Sequence, residues 1–296
     1  GKIPFGLIYP LVYFPLTRLF NGESRDFGRI GSALAKRLRE STEMQGMLRV
    51  VGEVDMLLAF AKVTRRDNFT ADVSEPIFTE EDRAFVYTSM ITNPILTLTN
   101  RNAVPNDFCI DGLTTITGVN SGGKSTAQKA VLQNIVLAKS GAPVFARRFI
   151  LGNIDTIFYL TPEAPDLVEI EGRFSYESRL IGEEFRRANR RSYVALDDCL
   201  EGTRHEEATG IKRDIFEGFI GLGSTLSIAT HDTDVVDIFA SRGEGQHYHV
   251  EYVNGHPSYR FSEGVSRDSH AAEIARINGI DFLSIHRAIL ERGAHA

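Results

Sequence analysis

The chain is short of cysteine, of basic charge and of any unbroken apolar run that would cross a bilayer, and each shortage excludes something. Cys109 and Cys199 are the two cysteines among 296 residues, too few for a disulfide framework and consistent with a reducing, cytoplasmic compartment. Both read as small buried hydrophobes. Lysine and arginine total 33 against 39 acidic residues, a net charge of −6, and the isoelectric point is near 5.8. A protein that grips DNA unaided shows a basic excess, because phosphate neutralisation supplies most of the affinity. This stretch is therefore not the main DNA-contacting part, or it gathers its basic residues in a local patch. Residues 3–20 are apolar, but Pro4, Pro10 and Pro15 interrupt them and Arg18 sits near their end. A membrane-spanning helix needs about 20 apolar residues without such breaks, so no membrane role is expected and the segment reads as a packing surface. Low-complexity tracts and internal repeats are also missing. The first residue is Gly1 rather than Met, and the expectation is that the natural chain continues upstream. Hydrophobic content of 42% and charged content of 24% are those of a soluble globular protein with room for two domains or one large one.

The most informative stretch present is Thr117–Thr126, Thr-Gly-Val-Asn-Ser-Gly-Gly-Lys-Ser-Thr. It follows a short apolar β-branched run, Leu113–Thr117, and precedes a helical pattern. This is a phosphate-binding loop of the form G-x-x-x-x-G-K-S, with Gly118, Gly123, Lys124 and Ser125 at the required positions. Its glycines let successive backbone N–H groups turn inward on a polyphosphate. Lys124 supplies a point charge for the β- and γ-phosphates, the Ser125 hydroxyl is a ligand for Mg²⁺, and the following helix adds the positive end of its dipole. Gly118, Val119, Asn120, Ser121, Gly122, Gly123, Lys124, Ser125 and Thr126 are thus the expected contacts for a nucleoside triphosphate.

Hydrophobic periodicity divides the rest. Residues 21–65 look helical, with Ile30, Leu34 and Leu38, then Met47, Val50, Val51, Val54, Leu57 and Leu58 recurring at steps of three and four. Asn68 to Pro76 is a break, and short strand-like runs with turns continue to about Phe108. From Cys109 onward strands alternate with helices. Leu113–Thr117, Ser192–Asp197 and Thr225–Thr230 read as strands. Lys124–Leu137, Phe174–Asn189, Arg204–Gly221, Asp268–Asn278 and Asp281–Arg292 read as helices. That alternation predicts an α/β domain with a mainly parallel sheet flanked by helices, whose ligands collect at the carboxyl ends of the strands. The expected division is a helical region over 1–75 and a nucleotide-binding domain over 76–296.

Two strand ends carry further chemistry. Ser192–Asp197 runs directly into Asp198, so an apolar strand ends in two carboxylates. In phosphate-loop proteins the first holds Mg²⁺, here Asp197, and the next orients and deprotonates the attacking water. That second acid is usually Glu; Asp198 is one methylene shorter, and a misplacement of about 1 Å costs on the order of a hundredfold in rate. Thr225–Thr230 ends at His231, placed to donate a hydrogen bond to a γ-phosphate and sense its presence.

Thr117–Thr126, Tyr193–Thr203 and Ala229–His231, in that order, resemble the ATPase domain of the MutS family of DNA mismatch-repair proteins, within the wider ABC-type ATPases. The resemblance runs through most of residues 45–290. Ala103–Phe108 looks like the segment before the family's phosphate loop, and Gly141–Ala146 with Ile154–Phe158 like the segment after it. Gly264, Ser269, Ala275 and Gly279 fit the spacing of its terminal helices. The resemblance implies a P-loop NTPase fold, ATP and Mg²⁺ as cofactors, and a homodimer with nucleotide at the interface. It places Val104 and Asn106 beside the nucleotide and Asn120 near the γ-phosphate. Lys124, Ser125 and Asp197 would hold phosphate and Mg²⁺, Asp198 would be the catalytic acid and His231 the switch histidine. The helical residues 21–65 would end a lever that transmits ATP state to double-stranded DNA held largely by regions outside this chain. No Phe-x-Glu wedge stands where a mismatch reader would place one.

Departures from the family pattern bear on hydrolysis. Ala103 stands where an aromatic commonly stacks on adenine, a contact worth about 1–3 kcal/mol in comparable settings. Counting back from Asp197, Phe174 and Glu177 keep the family spacing, but the trans-acting serine position is Gly172, with Ser175 nearby as an alternative. After Gly202 and Thr203 the chain reads Arg204-His205-Glu206-Glu207 where the family is rich in serine and threonine. Two functions are therefore carried forward: a Mg²⁺-dependent ATPase coupled to DNA, and an ATP-gated dimerisation module with little or no hydrolysis. An ABC transporter subunit would show a Leu-Ser-Gly-Gly-Gln-like signature, which is absent. Arg186, Arg187, Arg190 and Arg191 read as a solvated helix face paired with Glu183 and Glu184. His247 and His249 read as exposed strand histidines, since no third ligand has metal-site spacing.

Overall fold

The computed structural model describes residues 36–37, 40–64, 71–99, 101–118, 121–162, 172–200, 205–253, 256–265, 281, 283–284 and 286–287. They fall in two compact units, 1–66 and 67–296. In the first, helix α1 (Thr42–Thr64) begins where Ser41 Oγ accepts a hydrogen bond from Met44 N at 3.2 Å, an N-cap contact. Glu43 in its first turn and Lys62 in its last complement the helix dipole. Its apolar side chains stay exposed, Met47 at 64% and Leu57 at 61%. Residues before 36 and the expected helix over 268–278 lie outside the described residues. Of the other expected terminal helix, Leu283, Ser284, His286 and Arg287 are helical.

The second unit holds ten strands and five helices among the described residues: β1 (Ile77–Phe78), β2 (Val86–Ile91), α2 (Pro94–Leu98), β3 (Asn106–Ile110), β4 (Leu113–Thr117), α3 (Lys124–Lys139), β5 (Arg148–Leu151), β6 (Thr156–Leu160), α4 (Arg173–Phe185), β7 (Ser192–Asp197), α5 (His205–Gly221), β8 (Thr225–Thr230), α6 (Thr233–Ser241), β9 (Gln246–Val253) and β10 (His256–Glu263). The larger sheet has the order β10-β9-β4-β8-β7-β6. Its five strands from β9 to β6 are parallel, and β10 closes one edge as an antiparallel hairpin partner of β9. The smaller sheet, β1-β5-β2-β3, is antiparallel except at the β1–β5 pair. This is the α/β architecture, with a mainly parallel sheet flanked by helices, that the alternation of elements predicts.

The three central strands were readable because they are covered on both faces. Every residue of β4, β7 and β8 is buried, and apart from Asp197 their side chains are apolar or small hydroxyls, as strands covered on both faces require. Along β7, Tyr193 and Ala195 enter a core shared with Val131 and Ile135 of α3 and with Phe149 of the smaller sheet. Val194 and Leu196 enter the opposite core with Ile181 of α4, Phe216 and Phe219 of α5 and Phe239 of α6. The period-two alternation of one strand thus separates the two hydrophobic layers.

The registers bring the working ends together. Thr117 lies opposite Thr230 across the β4–β8 pair, and Asp197 lies opposite Ala229 across β7–β8. The residues that follow each strand therefore meet at one sheet edge. The arginine run departs from its expected setting. Helix α4 ends at Phe185, and Ser192 N bonds to Asn189 O, so the chain turns back into β7. Arg190 pairs with Asp82 and Arg191 with Asp155 at 2.9 Å, while Glu183 takes Arg179 of its own helix at 3.2 Å.

Candidate nucleotide-binding site

The phosphate loop leaves β4 at Gly118, whose φ is 143°. A Cβ there would stand 2.5 Å from Val250 Cγ1 of the neighbouring strand, so only glycine fits the close approach. Val119 and Asn120 lie outside the described residues. Ser121 (φ 71°) and Gly123 (φ 91°) keep the backbone left-handed, and Gly123 opens α3 as its N-cap without any side-chain cap. The first amides of α3 therefore remain as donors facing the cavity.

Lys124 follows at once. Its side chain is only 4% exposed, its Nζ donates to Gly118 O at 2.8 Å, and it stands 3.6 Å from Asp198 Oδ2. Ser125 Oγ donates to Asp197 Oδ1 at 3.0 Å, and Tyr159 OH donates to Asp197 Oδ2 at 3.2 Å. Burial pushes the Asp197 carboxyl above its usual range; the Asp198 charge adds to this, and the Ser125 and Tyr159 hydrogen bonds oppose it. A hydroxyl and a carboxylate in contact, both hard oxygen donors, suit Mg²⁺, and a cation there would relieve the strain on that buried acid. Asp198 Oδ1 accepts from His231 N at 3.2 Å and faces His231 Nδ1 at 3.1 Å. Lys124, Asp198 and His231 are thus one contiguous chain of charged and hydrogen-bonding groups.

Lys124, Ser125 and Asp198 border a cavity of about 450 Å³, lined also by Ser121, Gly122, Gly123 and Thr126 of the loop and by Ala103, Val104 and Asn106. Val104 and Asn106 both line this cavity. Asn106, however, directs its side chain into the fold: Nδ2 donates to Val104 O at 3.2 Å and Tyr259 O at 3.0 Å, and Oδ1 accepts from Phe261 N at 2.9 Å. It joins β3 to β10 and so places Tyr259, which with Phe261 and Phe108 also lines the cavity. Sequence reasoning did not find Tyr259. The Asn254-Gly255 pair between two alternating runs is a hairpin signal that would have predicted β9 and β10, though not which way the ring points. The reading also missed Tyr159 and the Arg173–Glu177 pair.

The two strand histidines serve the fold. His247 Nδ1 meets Thr115 Oγ1 at 2.8 Å and its Nε2 meets Glu244 O at 3.0 Å; burial holds its pKa below the ordinary value. His249 Nδ1 faces Gly264 O. Both are half-buried rather than exposed. Among the described residues no cluster of histidine, cysteine and acidic side chains has the makings of a further metal site. Cys199 is buried as expected, while Cys109 is only half-buried.

Comparison with known proteins identifies the family. Residues 114–291 match MutS domain V, a span that begins in β4 and contains the phosphate loop, both acids and His231. The chain belongs to the MutS family. It is 27% identical over 266 residues to the DNA mismatch repair protein MutS 2 of Halobacterium salinarum, covering 86% of this chain and 30% of that protein. It is 27% identical over 289 residues to the endonuclease MutS2 of Thermomicrobium roseum, covering 92% of this chain and 36% of the relative. Against the DNA mismatch repair protein MutS of Thermotoga maritima it is 28% identical over 251 residues, 82% of this chain and 31% of that one. The chain thus spans about a third of the length of these relatives and corresponds to their MutS ATPase domain. Among the described residues no helix is long and apolar enough to cross a membrane.

Proposed function

We propose that this MutS domain binds ATP with Mg²⁺ and hydrolyses it slowly at a homodimer interface, coupling nucleotide state to double-stranded DNA held largely by regions outside this chain. The observation that carries the reading is the set of contacts beside the phosphate loop: Lys124 stands 3.6 Å from Asp198, which meets His231 at 3.1 Å, and Ser125, next to Lys124 in the chain, bonds Asp197 at 3.0 Å. Lys124 binds the β- and γ-phosphates once the polyphosphate displaces its contact with Asp198. Ser125 and Asp197 would hold the metal, which when bound supplies charge neutralisation on the phosphate oxygens. Asp198 orients the attacking water and takes its proton, and His231 donates a hydrogen bond to the γ-phosphate. Asn120 and the loop amides complete the phosphate cradle. Names of relatives that refer to mismatch repair motivate the DNA coupling; the net charge of −6 supports the reading that most DNA contact lies outside this chain.

The second reading is an ATP-gated dimerisation module. It is favoured by Asp198 itself: one carboxylate oxygen faces His231 and the other faces Lys124, so both oxygens are already engaged by side chains rather than by a water. The deciding experiment is phosphate release by the purified chain with Mg²⁺-ATP over a range of protein concentrations. We expect turnover that rises with concentration and is lost in Lys124→Ala. Intact nucleotide binding with no turnover at any concentration would overturn hydrolysis in favour of the module.

A further inference from the structure

Two non-glycine residues just past β7 adopt left-handed backbone: Asp198 at φ 42° and Leu200 at φ 62°. Aspartate tolerates that region, but a leucine whose side chain is only 1% exposed is an outlier that its surroundings must enforce. Four hydrogen bonds enforce it. Asp198 N donates to Ala229 O of β8 at 2.8 Å. From the opposite side Arg173 Nη2 donates to Asp198 O at 2.8 Å. Leu200 N donates to Glu177 Oε2 at 2.6 Å, and Glu177 Oε1 accepts from Arg173 Nε at 2.7 Å. Arg173 and Glu177 are one turn apart at the start of α4, and the Glu177 side chain is 1% exposed.

We propose that Arg173 and Glu177 are positioning residues that set the backbone of Asp198 and thereby aim its carboxylate at the site. The inference rests on the reading of Asp198 as the acid that orients water. An aspartate reaches one methylene less far than a glutamate, so its backbone must be placed more closely to deliver the same oxygen. Clamping that backbone between β8 and the first turn of α4 achieves this without touching the nucleotide. The planar fork of the arginine reaches the Glu177 carboxylate through Nε and the Asp198 carbonyl through Nη2, a fixed geometry that the point charge of a lysine reproduces less well.

The test compares Arg173→Met, Arg173→Lys, Glu177→Gln and Glu177→Ala by single-turnover hydrolysis and by affinity for a non-hydrolysable ATP analogue with Mg²⁺. Arg173→Met and Glu177→Ala should lose at least about tenfold in rate while analogue affinity stays within about twofold, the pattern of a lost transition-state contact. Glu177→Gln keeps an acceptor for Leu200 N and should recover most of the rate, and Arg173→Lys should fall between. Equal losses of rate and affinity, or an unchanged rate in Arg173→Met, overturn the proposal. If Glu177→Ala does not fold, the half-exposed Arg173 decides alone. A wild-type chain without turnover would sink the hydrolytic reading. The positioning claim would then be decided by amide exchange: Arg173→Met must speed exchange at Leu200 and Asp198, and unchanged protection there overturns it.

Discussion

Asn106 lines the nucleotide cavity yet gives its whole side chain to the fold, and what it secures is Tyr259. That tyrosine sits at φ 60°, and its ring would lie 3.0 Å from a Cβ placed on Gly123. The cavity lining therefore includes an aromatic ring, with a face on which a base can stack, although Ala103 supplies none. A base against that face should gain about 1–3 kcal/mol. Tyr259→Ala is therefore expected to weaken Mg²⁺-ATP binding by roughly tenfold or more, while Tyr259→Phe stays near wild type, in a titration with a fluorescent ATP analogue. Unchanged affinity in the alanine variant would mean that the base lies away from β10. At this scale Lys124, Ser125, Asp197, Asp198 and His231 were legible because each stands next to a glycine-rich loop or at the end of an apolar strand. Tyr259 was not, since a tyrosine in an exposed hairpin has no local mark of the cavity it lines.

Elements are tied to the site through buried polar pairs. Lys212 on α5 meets Asp232 at 3.2 Å, with side chains 5% and 2% exposed. Asp232 also caps α6 by accepting from Val235 N at 3.4 Å and accepts from Thr209 at 3.4 Å. This pair fastens α5 to the residue after His231. Removing one partner strands a buried charge, and such losses cost about 3–5 kcal/mol. Lys212→Met should lower the unfolding free energy by that amount in urea titrations. Adding Asp232→Asn, which keeps a capping side chain, should restore most of it. A loss under about 1 kcal/mol in the single variant would show that the pair is not a net tie. The strands β4, β7 and β8 were read at their observed bounds because each is a buried run of apolar residues and small hydroxyl side chains, with a charged group only at the end of β7. The short strands of the smaller sheet and the β9–β10 hairpin carry mixed exposure, and α6 spans only Thr233–Ser241, too short for its periodicity to stand out.

For the molecule as a whole, net charge sets what it can hold unaided. The net charge is −6, and two of the four arginines of the run, Arg190 and Arg191, are paired with Asp82 and Asp155. Fluorescence anisotropy with a labelled DNA duplex at about 0.15 M salt should show binding no tighter than the non-specific range, on the order of 10⁻⁴–10⁻⁶ M. Tighter binding with a steep salt dependence would reveal a local basic patch and move the DNA contact into this chain. The same experiment with Mg²⁺-ATP tests whether nucleotide state alters that affinity.

The sequence by itself determined the phosphate loop, the acid-tipped strand, the histidine-tipped strand and hence the family and the α/β layering. These are local patterns: glycine spacing fixes backbone turns, and continuous apolar runs require burial on both faces. Only the tertiary structure decided which groups share the site. The parallel registers of β4, β7 and β8 carry Lys124, Asp198 and His231 to one edge, and the β9–β10 hairpin folds Tyr259 over Gly123. The first turn of α4 reaches back to clamp Asp198. Such contacts join residues far apart in the chain, and no local pattern encodes the distances between them.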